Sequence, residues 1–373
     1  MNQESPSTWR VIGRIILKAA VLFLALNLLF AGLRPLDTLG RLTLYNWFLP
    51  GRERLPYGEN PAEANNLSLN NLPAMFASHR VSQPKAADEF RVFILGDSGM
   101  WGWFLENEDT LAGQLNEMGL VTADGRTLQF YNLGYPIMSL SKDLLLLDAA
   151  MQYNPDLILW PVTLESFPPQ KQLDHPILQN NPERMRRLIE TYDLQLDAAD
   201  PRFVDPDFLE STIVGQRRPL ADLLRLQQVG FAWAATGIDQ AIPDEIPLRK
   251  SDFDEDVSWQ NYDQPVTLTT GDLTFDVLAA GVQMAGDVPI LLVNEPIFIS
   301  EGANSDLRYN VWYPRWAYDQ YRDLLAAEAA AQNWPLLDLW DAIPPDEFTD
   351  SPVHLTPTGT EMLAELLRPY LQP

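Results

Sequence analysis

The chain has 373 residues, of which 46% are hydrophobic, and this is enough to build one large core or two small ones. It contains no cysteine, which excludes disulfides and thiolate metal sites but does not identify the compartment. Its net charge of −25 repels phosphate backbones, so we do not expect it to bind nucleic acid.

The first feature along the chain is an apolar segment at residues 11–33, which follows a polar stretch at 1–10. About 20 residues span a bilayer, and this segment supplies them if Arg14 and Lys18 extend to the membrane surface. Because both cations are N-terminal, we expect a single-pass anchor with a cytoplasmic tail and an extracytoplasmic remainder. A cleaved signal peptide is the main alternative, although Ala31-Gly32-Leu33 is a poor cleavage site. A buried soluble helix is the third.

Residues 34–88 follow as a juxtamembrane connector that is rich in proline, asparagine and leucine and has no sustained hydrophobic period. Pro50-Gly51 and Pro56-Tyr57-Gly58 are turn signals. We therefore expect the connector to pack only partly on the next domain. It contains His79, and a single histidine in such a segment is usually structural or exposed.

The stretch from Phe90 to Trp103 contains the first candidate for chemistry. Val92 to Leu95 is an unbroken apolar run, as in a central strand that is covered on both faces. Gly96-Asp97-Ser98-Gly99 follows it, and glycine allows a sharp turn there. Ser98 is then predicted at the carboxyl end of a buried strand, where open α/β sheets bind their ligands.

Beyond this stretch we predict further strands and helices. The strands lie at 128–132, 156–160, 287–294 and 335–339, and the helices at 110–118, 139–151, 315–332 and 358–371.

Residues 167–285 interrupt this series as a largely helical and acidic insertion. The sequence allows three interpretations of this insertion: a small subdomain, a cap over the site, or a surface that rests on the membrane. It favours the small subdomain. The insertion contains Asp174-His175, which imitates a catalytic pair but lacks a following glycine turn and helix.

The third histidine lies in a block near the C-terminus, Phe348-Thr349-Asp350-Ser351-Pro352-Val353-His354, which continues to Pro357 and Gly359. A serine hydroxyl is a weak nucleophile until a base removes its proton, and histidine is suited to that role near neutral pH. A carboxylate such as Asp350 can hold the imidazole in the required tautomer. Pro352 indicates an irregular turn between the two residues.

Gly96-Asp97-Ser98 near the start of a domain and Asp350 with His354 near its end resemble the first and last motifs of the SGNH (GDSL-type) hydrolases. The resemblance implies that residues 89–373 form a three-layer α/β/α domain with a central parallel sheet, of flavodoxin-like form. It also implies that Ser98 is the nucleophile and His354 its base, with Asp350 as partner. Many members of the family use a backbone carbonyl in place of the carboxylate.

The family also implies an oxyanion hole. By resemblance, Gly134, after the second strand, would donate its backbone N–H. The third motif normally supplies an asparagine, but this chain has Pro161-Val162-Thr163-Leu164-Glu165 there. Thr163 is therefore a candidate donor through its hydroxyl. Asn294, predicted at the end of the fourth strand, is another, although strand-end Asn-Glu-Pro is also ordinary turn chemistry.

By this resemblance, the chain is expected to be an extracytoplasmic ester hydrolase or O-acyltransferase. Its substrate would be an acylated glycan or lipid of the cell envelope, handled with possible acylation partner proteins. The alternative is a degenerate domain that serves as a glycan-binding or assembly module, which the missing asparagine favours. No metal ligand spacing or phosphate loop is found, so we expect no cofactor.

Overall fold

We analysed a computed structural model, in which residues 8–58 and 63–371 are described. Residues 1–7 of the predicted cytoplasmic tail lie outside the described residues. The apolar segment forms helix α1, Thr8–Leu33, with a mean hydropathy of 2.3. It is the one helix of the described residues that is long and apolar enough to cross a membrane. Its composition suits a single-pass anchor and a signal sequence alike.

The domain is built on a five-stranded parallel sheet with strand order β2-β1-β3-β4-β5. The strands are β1 Glu89–Ile94, β2 Thr127–Asn132, β3 Leu157–Val162, β4 Ile290–Asn294 and β5 Leu336–Asp338. The register pairs Ile94 with Asn132 and Val162 with Asn294, so the carboxyl ends of the strands meet along one edge. All five predicted strands are confirmed.

Helices cover both faces of the sheet. Before β1 they are α1, α2 Leu36–Gly40, α3 Leu44–Phe48 and α4 Leu72–Ser78; between β1 and β4 they are α5 Ser98–Trp101, α6 Leu111–Glu117, α7 Leu140–Ala150, α8 Pro176–Gln179, α9 Pro182–Tyr192, α10 Arg217–Thr236 and α11 Phe275–Ala285; after β4 they are α12 Arg315–Gln332 and α13 Pro357–Leu367.

Two separate cores confirm the three layers. Side chains of a strand alternate between its faces, and Phe93 of β1 joins one core while Val92 joins the other. The first core is shared with α7, α11 and α12, and the second with α6 and α13. The unbroken apolar run of β1 is thus explained by burial on both faces.

The connector is more deeply built into the domain than its turn-rich sequence indicated. Met75 and Phe76 of α4 belong to the first core. His79 is fully buried, accepts a hydrogen bond from the Val81 N–H through Nδ1, at 3.0 Å, and contacts the Glu53 carbonyl through Nε2. Burial lowers the pKa of His79 to about 3, so this histidine is a neutral structural residue.

The insertion is only partly helical. Residues 193–216 and most of 237–274 are irregular, and α11 belongs to the sheet layers. His175 caps α8, since its Nδ1 accepts a hydrogen bond from the Ile177 N–H at 3.1 Å. Burial and the charge of Lys142 lower the pKa of His175 to about 4. Its pairing with Asp174 in the sequence is therefore not a second catalytic pair in the structure.

Candidate active site

Ser98 lies at the sharp turn between β1 and α5. Gly96 has a φ of +123°, and a Cβ there would lie 2.6 Å from the Met100 side chain, so only glycine fits. Asp97 caps α5, because its Oδ1 accepts a hydrogen bond from the Gly99 N–H at 2.8 Å. These two features hold the partly exposed Ser98 side chain at the edge of the sheet.

Ser98, His354 and Asp350 form one hydrogen-bonded chain. The distance from His354 Nε2 to Ser98 Oγ is 2.8 Å, and that from His354 Nδ1 to Asp350 Oδ1 is also 2.8 Å. Burial of Asp350 raises its pKa, but the hydrogen bond and charge of His354 outweigh burial and lower it. An ionised Asp350 accepts a hydrogen bond from the Nδ1–H group, which leaves the unprotonated Nε2 able to accept the serine proton.

The loop that carries His354 is tied to the protein on several sides. The Thr349 N–H donates to the His354 carbonyl at 2.8 Å, and the Phe298 N–H donates to the Pro352 carbonyl at 2.7 Å. The Trp103 ring lies against the imidazole, with centroids 6.1 Å apart. The irregular turn predicted from Pro352 is therefore a fixed support for the base.

Gly134 is required for close packing. A Cβ on Gly134 would lie 2.6 Å from the Trp101 nitrogen. Its own N–H donates to Asn132 Oδ1 at 3.0 Å, so the predicted oxyanion donor already has a partner inside the protein.

The two side-chain candidates for the oxyanion hole are also bonded. Asn294 is buried; its Nδ2 donates to Asp338 Oδ1 at 2.8 Å, and its Oδ1 accepts from the Tyr321 hydroxyl at 3.1 Å. Thr163 is buried with its hydroxyl 3.0 Å from that of Tyr313. Only one hydrogen is needed between two hydroxyls, so the Thr163–Tyr313 pair retains an O–H with no acceptor among the described residues. The Asn294 amide likewise keeps its second N–H, although Asp338 and Tyr321 hold the amide in the β4–β5 region.

Ile137 is a site feature that the sequence did not indicate. Its φ is +86°, which is strained for a β-branched residue, and it is 45% exposed. Its loop lies next to the nucleophile turn, because the Tyr135 N–H donates to the Gly96 carbonyl at 2.9 Å. Within residues 8–58 and 63–371, no acceptor is found for the backbone N–H of Ile137 or of Ser98.

A buried lysine supports the same two loops. Lys142 Nζ donates to the Gly96 carbonyl at 2.6 Å and to the Tyr135 carbonyl at 2.9 Å. It forms an ion pair with Asp143 at 2.6 Å, and neither side chain is exposed to any extent. The lysine therefore fixes the loop after β1 to the loop after β2.

Two further carboxyl groups lie next to this ion pair. Glu295 is buried and hydrogen-bonded to Asp97, which caps the nucleophile helix. Burial and the charges of Asp97 and Asp143 raise the pKa of Glu295 well above its ordinary value. The protonated form of Glu295 is therefore favoured, and in that form its O–H can donate to Asp97.

The insertion borders the site from two sides. Gln240 Nε2 donates to the Gly102 and Leu105 carbonyls, at 2.8 and 2.7 Å, just beyond the nucleophile helix. The Arg249 N–H donates to the Thr349 carbonyl at 2.9 Å, next to Asp350. The irregular part of the insertion thus contacts both loops of the triad.

A cavity of about 680 Å³ lies near the loop after β2, and its lining includes no residue of the triad. It is lined by Tyr135, His175 and Arg218 and, from the connector, by Leu36, Asp37 and Tyr57. The Tyr57 ring contacts that of Trp103, and the Trp103 ring in turn contacts His354. The rings of Tyr57 and Trp103 therefore stand between the cavity and His354.

The serine, its base and its carboxylate meet at the strand ends in one hydrogen-bonded chain, and this decides the family that the chain resembles. The resemblance is to the SGNH (GDSL-type) hydrolases. It covers the order of the two motifs, the parallel sheet between helical layers and the geometry of the triad.

No protein-family model and no curated protein matches the chain. Similar solved structures include a member of the lipolytic protein G-D-S-L family from Veillonella parvula (10% identity, TM-score 0.36, covering 75% of this chain and 97% of that one). Another is a carbohydrate acetylesterase family member from Sinorhizobium meliloti (13% identity, TM-score 0.33, covering 75% of this chain and 96% of that one). A third is a GDSL-like lipase from Bacteroides thetaiotaomicron (11% identity, TM-score 0.39, covering 81% of this chain and 98% of that one). Because these identities and TM-scores are low, the reaction of this chain is inferred from its own residues and not from these structures.

Proposed function

We propose that the chain is a serine-dependent ester hydrolase or O-acyltransferase that works through an acyl-serine intermediate. The observation that supports this function is the hydrogen-bonded chain of Ser98, His354 and Asp350. Ser98 Oγ attacks the acyl carbon while His354 Nε2 takes its proton, and the alcohol leaves with that proton. Water or a second hydroxyl, deprotonated by His354, then removes the acyl group.

The backbone N–H groups of Ser98 and Ile137 are the proposed main donors to the oxyanion. Neither has an acceptor among the described residues, and donors that are fixed before the reaction stabilise developing charge effectively. The free O–H of the Thr163–Tyr313 pair is proposed as the third donor, in place of the family's asparagine. Glu165 does not oppose the charge, because it is paired with Lys171.

The proposed substrate is an acylated glycan or lipid of the cell envelope, reached from the outer surface of the membrane to which α1 holds the protein. The cavity that Tyr57 and Trp103 separate from His354 supports this substrate class, since it mixes aromatic, amide and arginine side chains. Such linings suit a sugar or lipid headgroup with an attached acyl chain. The degenerate binding module is the weaker candidate, because it gives no reason for an aligned nucleophile and base.

Reaction with a fluorophosphonate tests the acyl-serine mechanism directly. We expect the probe to label Ser98 in the folded full chain, because His354 activates its hydroxyl, and not to label Ser98 in an His354→Ala variant. Intact mass and peptide mapping give the site and stoichiometry. If the wild-type chain stays unlabelled while its melting temperature is normal, the domain is a binding module.

Substitution of Thr163 by valine tests the third oxyanion donor. The change keeps the shape and removes the hydroxyl, so we expect kcat to fall about 10²-fold with little change in KM. Steady-state kinetics on an aryl acetate measure both constants. Tyr313→Phe, which leaves the Thr163 hydroxyl in place, is the matched control and should cost less. A neutral Thr163→Val variant would leave the oxyanion to the two backbone donors alone.

A further inference from the structure

Six large apolar side chains of the domain are exposed close to where α1 ends. They form what we call the apolar footprint: Leu42, Trp47, Phe48, Leu209, Leu224 and Phe231. Phe48 is 79% exposed, Leu209 73% and Leu224 68%. Scattered apolar residues need no explanation, but several that are joined to one region indicate an interaction surface.

Hydrogen bonds join the segments that carry the footprint to α1 and to each other. Asn27, the one strongly polar residue in the apolar part of α1, is buried, and its Oδ1 accepts from the Val214 N–H at 3.3 Å. The side chain of Gln227 in α10 accepts from the Leu44 N–H at 2.8 Å and donates to the Leu42 carbonyl at 3.1 Å. The anchor thus contacts the loop before α10, and the connector contacts α10 itself.

The contact between α10 and the connector is unusually close. Gly230 of α10 lies against Tyr45, and a Cβ at this position would come within 2.2 Å of the ring. The Phe231 ring also packs on Tyr45, with centroids 6.1 Å apart. This close packing against Tyr45 therefore holds the footprint residues of α10 and of the connector in a fixed arrangement.

The contact at Asn27 determines the depth of the loop before α10. Asn27 precedes the end of α1 by six residues, which is about 9 Å along a helix axis. If α1 spans the bilayer, the loop containing Leu209 and Val214 lies at the depth of the headgroups and not above them. Exposed apolar side chains at that depth contact lipid.

Helix α10 is more basic than the chain as a whole, whereas the loop before it carries exposed Asp205, Asp207 and Glu210 around Leu209. Arg217, Arg218 and Arg225 of α10 are exposed, against Asp222 as the single acidic residue of that helix, in a chain with a net charge of −25. Helices that lie in a membrane surface combine exposed apolar side chains with arginine or lysine, which attract anionic headgroups. The helix α10 matches this composition.

We propose that the apolar footprint is immersed in the headgroup region of a bilayer that contains anionic lipid, so that the domain lies on the membrane with α10 in its plane. This inference rests on the proposed membrane anchoring by α1. It adds that the domain has a fixed orientation on the lipid surface and does not hang from a free tether.

Single nitroxide labels can test the footprint, because the chain has no native cysteine. The full chain, with one cysteine at Phe48, Leu209 or Leu224, is placed in nanodiscs of phosphatidylcholine and phosphatidylglycerol. The measurement compares relaxation of each label by oxygen, which concentrates in lipid, and by a water-soluble nickel chelate. We expect an oxygen-to-nickel ratio several-fold higher than at Val121, an apolar control that is 52% exposed and outside the footprint.

Every outcome of this experiment supports or overturns the inference. A label at Leu24, in the middle of α1, reports on the anchor itself. If the label at Leu24 is in lipid while the footprint labels have the same oxygen-to-nickel ratio as Val121, the proposed lipid contact of the footprint is wrong and the proposed anchor is supported. If the label at Leu24 is also in water, both proposals are wrong. Labels shielded from both relaxing agents would mean that protein covers the surface, as in a second copy of the chain, which overturns the lipid contact. None of these results depends on catalysis.

Discussion

Replacement of Ser98 or His354 by alanine is expected to lower kcat for an acyl ester by about 10⁶-fold, because nucleophile and base act as one unit. The double variant should be no worse than either single one, since neither residue has a function in the acyl transfer without the other. Asp350→Asn keeps the shape but disfavours the required imidazole tautomer, and we expect a loss of up to about 10⁴-fold. Single-turnover and steady-state assays on an aryl acetate measure these losses.

The control for this series is Ser305→Ala, which removes a partly exposed serine that is not part of the triad. It should leave kcat unchanged, and all variants should melt close to the wild type. Wild-type turnover by Ser98→Ala would rule out the acyl-serine mechanism. A harmless Asp350→Asn variant would show that a backbone carbonyl, as in many members of the SGNH family, orients His354.

Lys142→Met is expected to reduce the free energy of unfolding by about 3–5 kcal/mol. The methionine fills a similar volume but removes the single cation among buried acidic groups. Asp143 is then left as an unpaired buried charge, and the Gly96 and Tyr135 carbonyls lose their donor. Urea unfolding at neutral pH, followed by tryptophan fluorescence, measures the loss.

Glu295→Gln is the matched control for the buried charges. In its protonated form Glu295 donates to Asp97, and an amide of the same shape can do the same, so we expect a change below about 1 kcal/mol. If instead Glu295→Gln destabilises strongly while Lys142→Met does not, then Glu295 is ionised in the folded protein and Lys142 is not its essential counter-charge.

The parts of the site that could be predicted are those set by local sequence. The apolar run of β1 and the glycine after it place Ser98 at a strand end, whatever the rest of the chain does. Asp350 and His354 are four residues apart, so a single turn brings them together. These local features are visible in the sequence, whereas the functions assigned to the three residues came from the resemblance to the SGNH motifs and stay predictions.

The remaining features depend on residues that are far apart in the chain. Ile137 has no glycine signal, and its positive φ is imposed by the packing of its loop beside Gly96. Lys142 lies in a leucine-rich helix, and its function is visible only once the carbonyls of Gly96 and Tyr135 surround it. The contacts of the Asn294 amide with Asp338 and Tyr321 were likewise not visible in the sequence, and its function as an oxyanion donor stays a prediction.

The close contact between Gly230 and Tyr45 limits the region of space that Ser98 can reach. Any side chain larger than glycine at position 230 would separate α10 from Tyr45. Gly230 therefore allows the connector to pack rigidly on α10 and not to act as a flexible linker. A domain on a flexible linker samples a volume above the membrane. A domain that is rigidly attached to its anchor samples a thin layer as it diffuses laterally. If α1 anchors the domain as proposed, acyl groups carried by lipid-linked molecules lie within the layer that Ser98 can reach, and those on polymer far from the bilayer lie outside it.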